Sequence, residues 1–258
     1  MKKRCLGMAL ILLSCWPLAA QDRPLVVAHR GYWQSRGSAQ NSIAALIRAD
    51  EINAYAVEFD VHLTADDILV VNHDHAVEGV AIQQSPYAAV KDFRLPNGEK
   101  IPTAREYLEA ARRTQLRLVF ELKSHATPER NREAAQISIE LLKEKKLLPR
   151  TEFITFNLDA GKEFIRLAPE ADVYYLNGEL SPGELKALGF AGLDYHYGVM
   201  QKNPQWFREA KALGLGINVW TVNDTTLMGE MTDAGADFIT TDLPNDALKW
   251  ISTVYSKE

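Results

Sequence analysis

Cysteine is nearly missing from this chain. Its 258 residues hold two, Cys5 and Cys15, and both fall among the first twenty. The remainder cannot be stapled by disulfides or depend on the redox state of its compartment, so its stability has to come from packing. Long apolar runs are missing as well, since the run over residues 6–13 is too short to cross a bilayer. No low-complexity tract and no Gly-, Pro- or Ser-rich linker divides the chain. Cations are in the minority, with 29 Lys and Arg against 34 Asp and Glu and a formal charge of −5. That balance argues against nucleic acid or an anionic membrane surface as a partner. A small phosphate ester stays compatible, provided that its local site is positive or holds a metal.

The first twenty residues are set apart. Lys2, Lys3 and Arg4 precede the apolar run and Ala19-Ala20 follows it, which is the arrangement of a secretory signal. Residues 1–20 are therefore expected to be a signal peptide cleaved near Ala20, and the protein to be exported, either periplasmic or secreted. Leu12-Leu13-Ser14-Cys15 offers an alternative, a membrane-tethered lipoprotein acylated at Cys15. Loss of the three leader cations takes the formal charge from −5 to −8.

From Pro24 onward, strand-like runs alternate with amphipathic helical stretches. Strands are expected over 25–29, 56–63, 117–123, 152–156, 172–176, 192–195, 216–221 and 237–240. Eight βα units in one α/β domain over residues 24–256 are the count of a closed (β/α)8 TIM barrel. Thr103-Ala104-Arg105-Glu106 and Ser181-Pro182-Gly183-Glu184 read as capping boxes, and Gly189, Gly214 and Gly235 as helix stops. One stretch interrupts the rhythm. Residues 75–101, after the second strand, are expected to form a small insertion above the barrel mouth, with a short helical segment over 86–93.

Residues 57–74 carry the densest chemistry. Val57, Phe59, Val61 and Leu63 alternate with Glu58, Asp60, His62 and Thr64, so one face of the strand is greasy and the other acidic. Glu58 and Asp60 then point the same way from positions about 6 to 7 Å apart. Two carboxylates held together in a partly buried place either share a proton or hold a cation, and a hard divalent ion is the simpler resolution. A turn at 65–67 and a return strand over 68–71 deliver His73 and Asp74 beside them. Active sites of such barrels gather at the carboxyl ends of the strands. There the chain places His29-Arg30-Gly31, Glu121 and Lys123 on one face of the third strand, and Asn218 and Trp220 on one face of the seventh.

Six motifs in order, VVAHRG at 26–31, EFDV at 58–61 with Leu63-Thr64, VVNHD at 70–74, FELK at 120–123, NVWTVN at 218–223 and GAD at 235–237, resemble the glycerophosphodiester phosphodiesterases over almost the whole chain. The resemblance implies a TIM barrel with an insertion in its second unit. It also implies one divalent cation, Ca²⁺ or Mg²⁺, on Glu58, Asp60 and Glu121, an acid/base pair in His29 and His73, and phosphate contacts from Arg30 and Lys123. Trp220 is a further candidate for the substrate wall. The substrate implied is a small glycerophosphodiester, cleaved through a cyclic glycerol phosphate to glycerol 3-phosphate and an alcohol. One position departs from the pattern: Ala39-Gln40-Asn41-Ser42 stands where most members have Pro-Glu-Asn-Thr, so Gln40 replaces a carboxylate that supports the site.

Plainer readings compete. Glu58 and Asp60 could be ion-paired to Arg30 and Lys123 with no metal at all. Lys123 at a strand end could be the Schiff-base lysine of an aldolase. An exported protein could also bind phosphodiesters without cleaving them. His62, His75, His125 and His196 read as structural or surface residues.

Overall fold

The computed structural model describes residues 23–255. The signal peptide expected over residues 1–20, and Cys15 with it, lie outside the described residues. Eight parallel strands follow one another: β1 Leu25–Ala28, β2 Ala56–Leu63, β3 Arg117–Leu122, β4 Thr151–Thr155, β5 Val173–Tyr175, β6 Gly192–His196, β7 Gly216–Trp220 and β8 Phe238–Thr241. Each pairs with its successor, and β8 closes on β1 with Leu25 opposite Phe238. Closure removes the free edges that an open sheet would expose. The (β/α)8 barrel is thus present, and every strand end lies within one residue of its expected place. A short antiparallel strand, Leu69–Val71, folds back on β2.

Helices begin where their capping residues stand. Ser42 caps α1 (Ile43–Glu51), capping boxes at Thr103 and Ser181 open α2 (Ala104–Ala111) and the helix Pro182–Leu188, and Thr127-Pro128 opens the helix Pro128–Lys145. Gly189 and Gly235 stop their helices in the left-handed conformation. Alternation along the strands sorts side chains into two cores. Phe59, Phe120 and Phe153 point outward and meet Tyr107 and Phe164 of the surrounding helices, with successive ring centroids 4.1 to 5.8 Å apart. Truncating such a ring, as in Phe120→Ala, costs about 3 to 5 kcal/mol. Val27, Ala56, Val119, Ile154 and Tyr174 fill the barrel interior. Above that plug the inward positions become polar, and there the site forms.

The stretch from 72 to 103 rises over the mouth as a hairpin, Ala76–Val77 with Val80–Ala81, followed by two 3-10 turns. Its Ile82, Val90 and Ile101 pack on Val70 of the return strand and hold it down. The helical segment expected over 86–93 reduces to the single turn Tyr87–Ala89, because so short a run behind Pro86 cannot sustain α-helical nucleation. Among the described residues no helix is long and apolar enough to cross a membrane.

Candidate active site

At the carboxyl end of β1 the chain turns sharply through Arg30 (φ +55°) and Gly31 (φ +80°). A Cβ on Gly31 would stand 2.7 Å from that of Ala45, so only glycine fits against α1. The turn aims the Arg30 backbone N–H at Glu58 Oε2, 2.8 Å away, and throws the guanidinium over the barrel mouth. There Nη1 donates to Gln40 Oε1 at 2.8 Å and Nε stands 3.5 Å from Asp60 Oδ2. The neutral Gln40 therefore holds Arg30 in place without cancelling its charge.

Strand β2 supplies Glu58 and Asp60, and β3 supplies Glu121. Oxygens of the three carboxylates lie within 4.8 Å of one another, all buried. Lys123, just past β3, donates from Nζ to Asp60 Oδ1 and Glu121 Oε1, each at 2.7 Å. Asn41 donates from Nδ2 to Asp60 Oδ2 at 2.8 Å and accepts the Asp60 N–H at 3.1 Å. Asp60 is thus paired on both oxygens, and each keeps further acceptor capacity. Burial alone would raise its pKa, but the Lys123 ammonium and the Arg30 guanidinium outweigh burial and hold it low. Glu58 is placed differently. Its Oε1 is buried with no partner, and burial, Asp60 and Glu121 push its pKa well up. Burial and Asp60 likewise raise Glu121 to about 7. Three acids against two cations leave negative charge that a proton or a cation must offset, so the ion-paired reading accounts for Asp60 and leaves Glu58 unexplained.

His29 and His73 flank this cluster. His29 Nδ1 lies 2.8 Å from Asp242 Oδ1, which leaves Nε2 directed inward, 4.0 Å from Glu58 Oε2. His73, beyond the return strand, has its Nδ1 2.8 Å from Asp74 Oδ1. A carboxylate can only accept, so in both rings Nδ1 carries the proton and Nε2 is the free atom. Burial lowers the His73 pKa.

A cleft of about 100 Å³ of water-accessible volume is lined by His29, Arg30, Glu58, His73, Glu121, Lys123 and Trp220. Seven of the eight residues singled out from the sequence thus face one space, and Asp60 sits behind them at 1% exposure. Trp220 stands edge-on to Phe156 and His196, with its Nε1 donating to the Asp194 carbonyl at 2.9 Å. A second groove of about 450 Å³, lined by Trp33, Gln40, Asn72, Asp74 and Leu95, shares His73 with the first. His62 and His125 lie outside the cleft and stay neutral, lowered by burial to about 3 and about 4. His75 packs against His62. Asp242 and Asp194 escape a reading of the sequence. The signal available for Asp242 was a carboxylate immediately past the eighth strand.

The model of the glycerophosphoryl diester phosphodiesterase family matches residues 29–246. The chain belongs to that family. Within the family, a crystal structure of a glycerophosphodiester phosphodiesterase from Parabacteroides distasonis is 58% identical, covers 90% of this chain and 98% of its own, and superposes with a TM-score of 0.89. A phosphodiesterase of Oleispira antarctica, solved in complex with the product sn-glycerol-3-phosphate, is 28% identical over 89% of this chain and 97% of its own, with a TM-score of 0.77. The glycerophosphodiester phosphodiesterase of Caldanaerobacter subterraneus is 29% identical over 246 residues, 89% of this chain and 98% of the relative. As a member of a hydrolase family the chain is an enzyme, and its buried acidic triad could hold a metal ion.

Proposed function

We propose that the protein hydrolyses glycerophosphodiesters to glycerol 3-phosphate and an alcohol, with a divalent cation held by Glu58, Asp60 and Glu121. The observation that carries this reading is the unpartnered, buried Glu58 Oε1 in a triad of carboxylates that faces Arg30, Lys123 and two histidines across one cleft. An oxygen-only donor set suits Ca²⁺ or Mg²⁺. When bound, such an ion neutralises charge on the phosphodiester and lowers the pKa of a hydroxyl beside it.

The protein's own groups do the rest. Arg30 and Lys123 offer positive charge for the phosphoryl oxygens as negative charge grows on them. The glycerol hydroxyl next to the ester attacks phosphorus, and the Nε2 of one neutral imidazole takes its proton while the other ring, entering the step as imidazolium, gives its Nε2 proton to the departing oxygen. Water then opens the cyclic phosphate that the family resemblance implies, with the two rings exchanging roles. The groove beyond His73 provides room for the departing alcohol. An aldolase reading is disfavoured, because a nucleophilic lysine needs a lowered pKa. Against the effect of burial, Glu121 and Asp60 raise that of Lys123. Export to the periplasm or medium, with cleavage near Ala20 or acylation at Cys15, is part of the same proposal.

The test is release of glycerol 3-phosphate from glycerophosphocholine by chelator-treated protein. Release is expected to appear on adding Ca²⁺ or Mg²⁺ and to stay at background without either. Binding of the diester with no product under any of these conditions would show a binding protein instead.

A further inference from the structure

Asp194, the third residue of β6, lines the cleft beside Ile154 and Leu176 and takes no part in the chemistry above. It is 2% exposed. Its Oδ2 accepts from Asn218 Nδ2 at 3.2 Å, whereas Oδ1 is buried with no partner. Asn218 cannot rotate to serve elsewhere, because its Oδ1 accepts from Thr240 Oγ1 at 3.0 Å. The relay Thr240 to Asn218 to Asp194 therefore fixes one carboxyl oxygen and leaves the other open. Such a group is unfavourable in a folded protein. A hydrocarbon of similar size would suit the neighbourhood of Ile154 and Leu176 better, so a buried, unpartnered carboxyl oxygen on a residue of the cleft wall points to a ligand.

The ligand's chemistry follows by elimination along the cleft. Outside the charged cluster its walls are Ile154, Phe156, Leu176 and Trp220, with Thr240 and the Trp220 indole N–H already engaged. Along these walls Asp194 Oδ1 is the one buried side-chain polar atom among the described residues without a partner, since Glu58 Oε1 and Arg30 Nε belong to the charged cluster. A glycerol ester brings two hydroxyls into this space. The one beside the ester is committed to the displacement, and the terminal one would otherwise meet hydrocarbon.

We propose that Asp194 Oδ1 hydrogen-bonds the terminal hydroxyl of the glycerol moiety and so makes the enzyme selective for glycerol esters. This rests on the phosphodiesterase reading. Because a hydroxyl both donates and accepts, it pairs with the carboxyl in either protonation state.

The experiment compares glycerophosphocholine with the phosphocholine diester of propane-1,2-diol, which keeps the reacting hydroxyl and carries a methyl in place of the terminal one. Wild type is expected to favour the glycerol diester by about 10- to 100-fold in kcat/KM. In Asp194→Ala that preference is expected to shrink to within about threefold. The ratio does not depend on how much of the variant folds, and a purely structural Asp194 would leave it unchanged. Wild type acting equally on both diesters, or a preference that survives in Asp194→Ala, would overturn the assignment. Calorimetry on wild type in the presence of Ca²⁺ separates this from a failure of the phosphodiesterase reading. If neither diester is cleaved, that reading falls. Equal affinity for glycerol 3-phosphate and propane-1,2-diol phosphate would then also remove Asp194, whereas at least about tenfold tighter binding of glycerol 3-phosphate would uphold it.

Discussion

Two histidine–aspartate pairs border the cleft, and they are built differently. His29 and Asp242 sit at barrel strand ends, with side chains 16% and 18% exposed. Asp242 is itself gripped by Trp33 Nε1 at 3.1 Å and Asn223 Nδ2 at 2.7 Å. His73 and Asp74 stand at the foot of the insertion, 39% and 78% exposed, and of its side-chain atoms only Oδ1 of Asp74 takes part in a hydrogen bond, with His73. Hydrogen bonding in a half-buried setting with further donors on the carboxylate fixes a ring's tautomer and direction, whereas an exposed pair exchanges freely with water. His29 is therefore placed by the barrel before substrate arrives. His73, held by the exposed Asp74 alone, is the less firmly fixed of the two rings.

Substitutions can break or sharpen this contrast. The largest effect is expected from the rings themselves. His29→Ala and His73→Ala should each lower kcat by about 10² to 10⁴ with ion affinity close to wild type, and full activity in either would remove it from the chemistry. Next comes the half-buried carboxylate. Asp242→Asn should lower kcat by about 10- to 100-fold, because an amide can present Nδ2–H to the ring and favour the wrong tautomer. Asp74→Asn should change kcat by less than about threefold, as suits an exposed partner. Equal losses in the two aspartate variants would abolish the distinction.

The smallest effect is on stability. Burial works against the Asp242 carboxylate, yet the hydrogen bond and charge of His29 hold its pKa at about 2, below the ordinary 3.8. A lowered acid contributes stability above its unfolded pKa and loses that contribution as pH falls through the folded value. The Tm advantage of wild type over Asp242→Asn should accordingly be fully present at pH 5 and shrink toward pH 2. A gap that does not narrow would mean that the pair carries no charge-dependent stability.

Much of this arrangement is legible in the sequence because of one periodicity. Strict alternation from Val57 to Thr64 separates the greasy and acidic faces of β2, and the barrel turns the acidic face inward. Capping boxes, glycine stops and β-rich runs mark the βα units by local chemistry alone. What stayed hidden is long-range. Asp242 reads as an ordinary residue ahead of Leu243-Pro244, and only barrel closure between β8 and β1 brings it to His29. Asp194 sits in a strand with no alternating signature, and its open oxygen becomes apparent only once Asn218 and Thr240 are seen to be occupied with each other. Gln40 shows the opposite case. Its departure is visible in the sequence, but its effect depends on the hydrogen bond to Arg30.

The acidic triad is central to all of this, and its coupling to phosphate can be measured directly. Calorimetric titration of chelator-treated protein near pH 7 should show one Ca²⁺ or Mg²⁺ site that weakens sharply in Glu121→Gln, and glycerol 3-phosphate should bind at least about tenfold more tightly with the ion than without it. Glycerol 3-phosphate binding that is indifferent to the ion, or ion binding unchanged in Glu121→Gln, would contradict an ion held by these carboxylates against the phosphate.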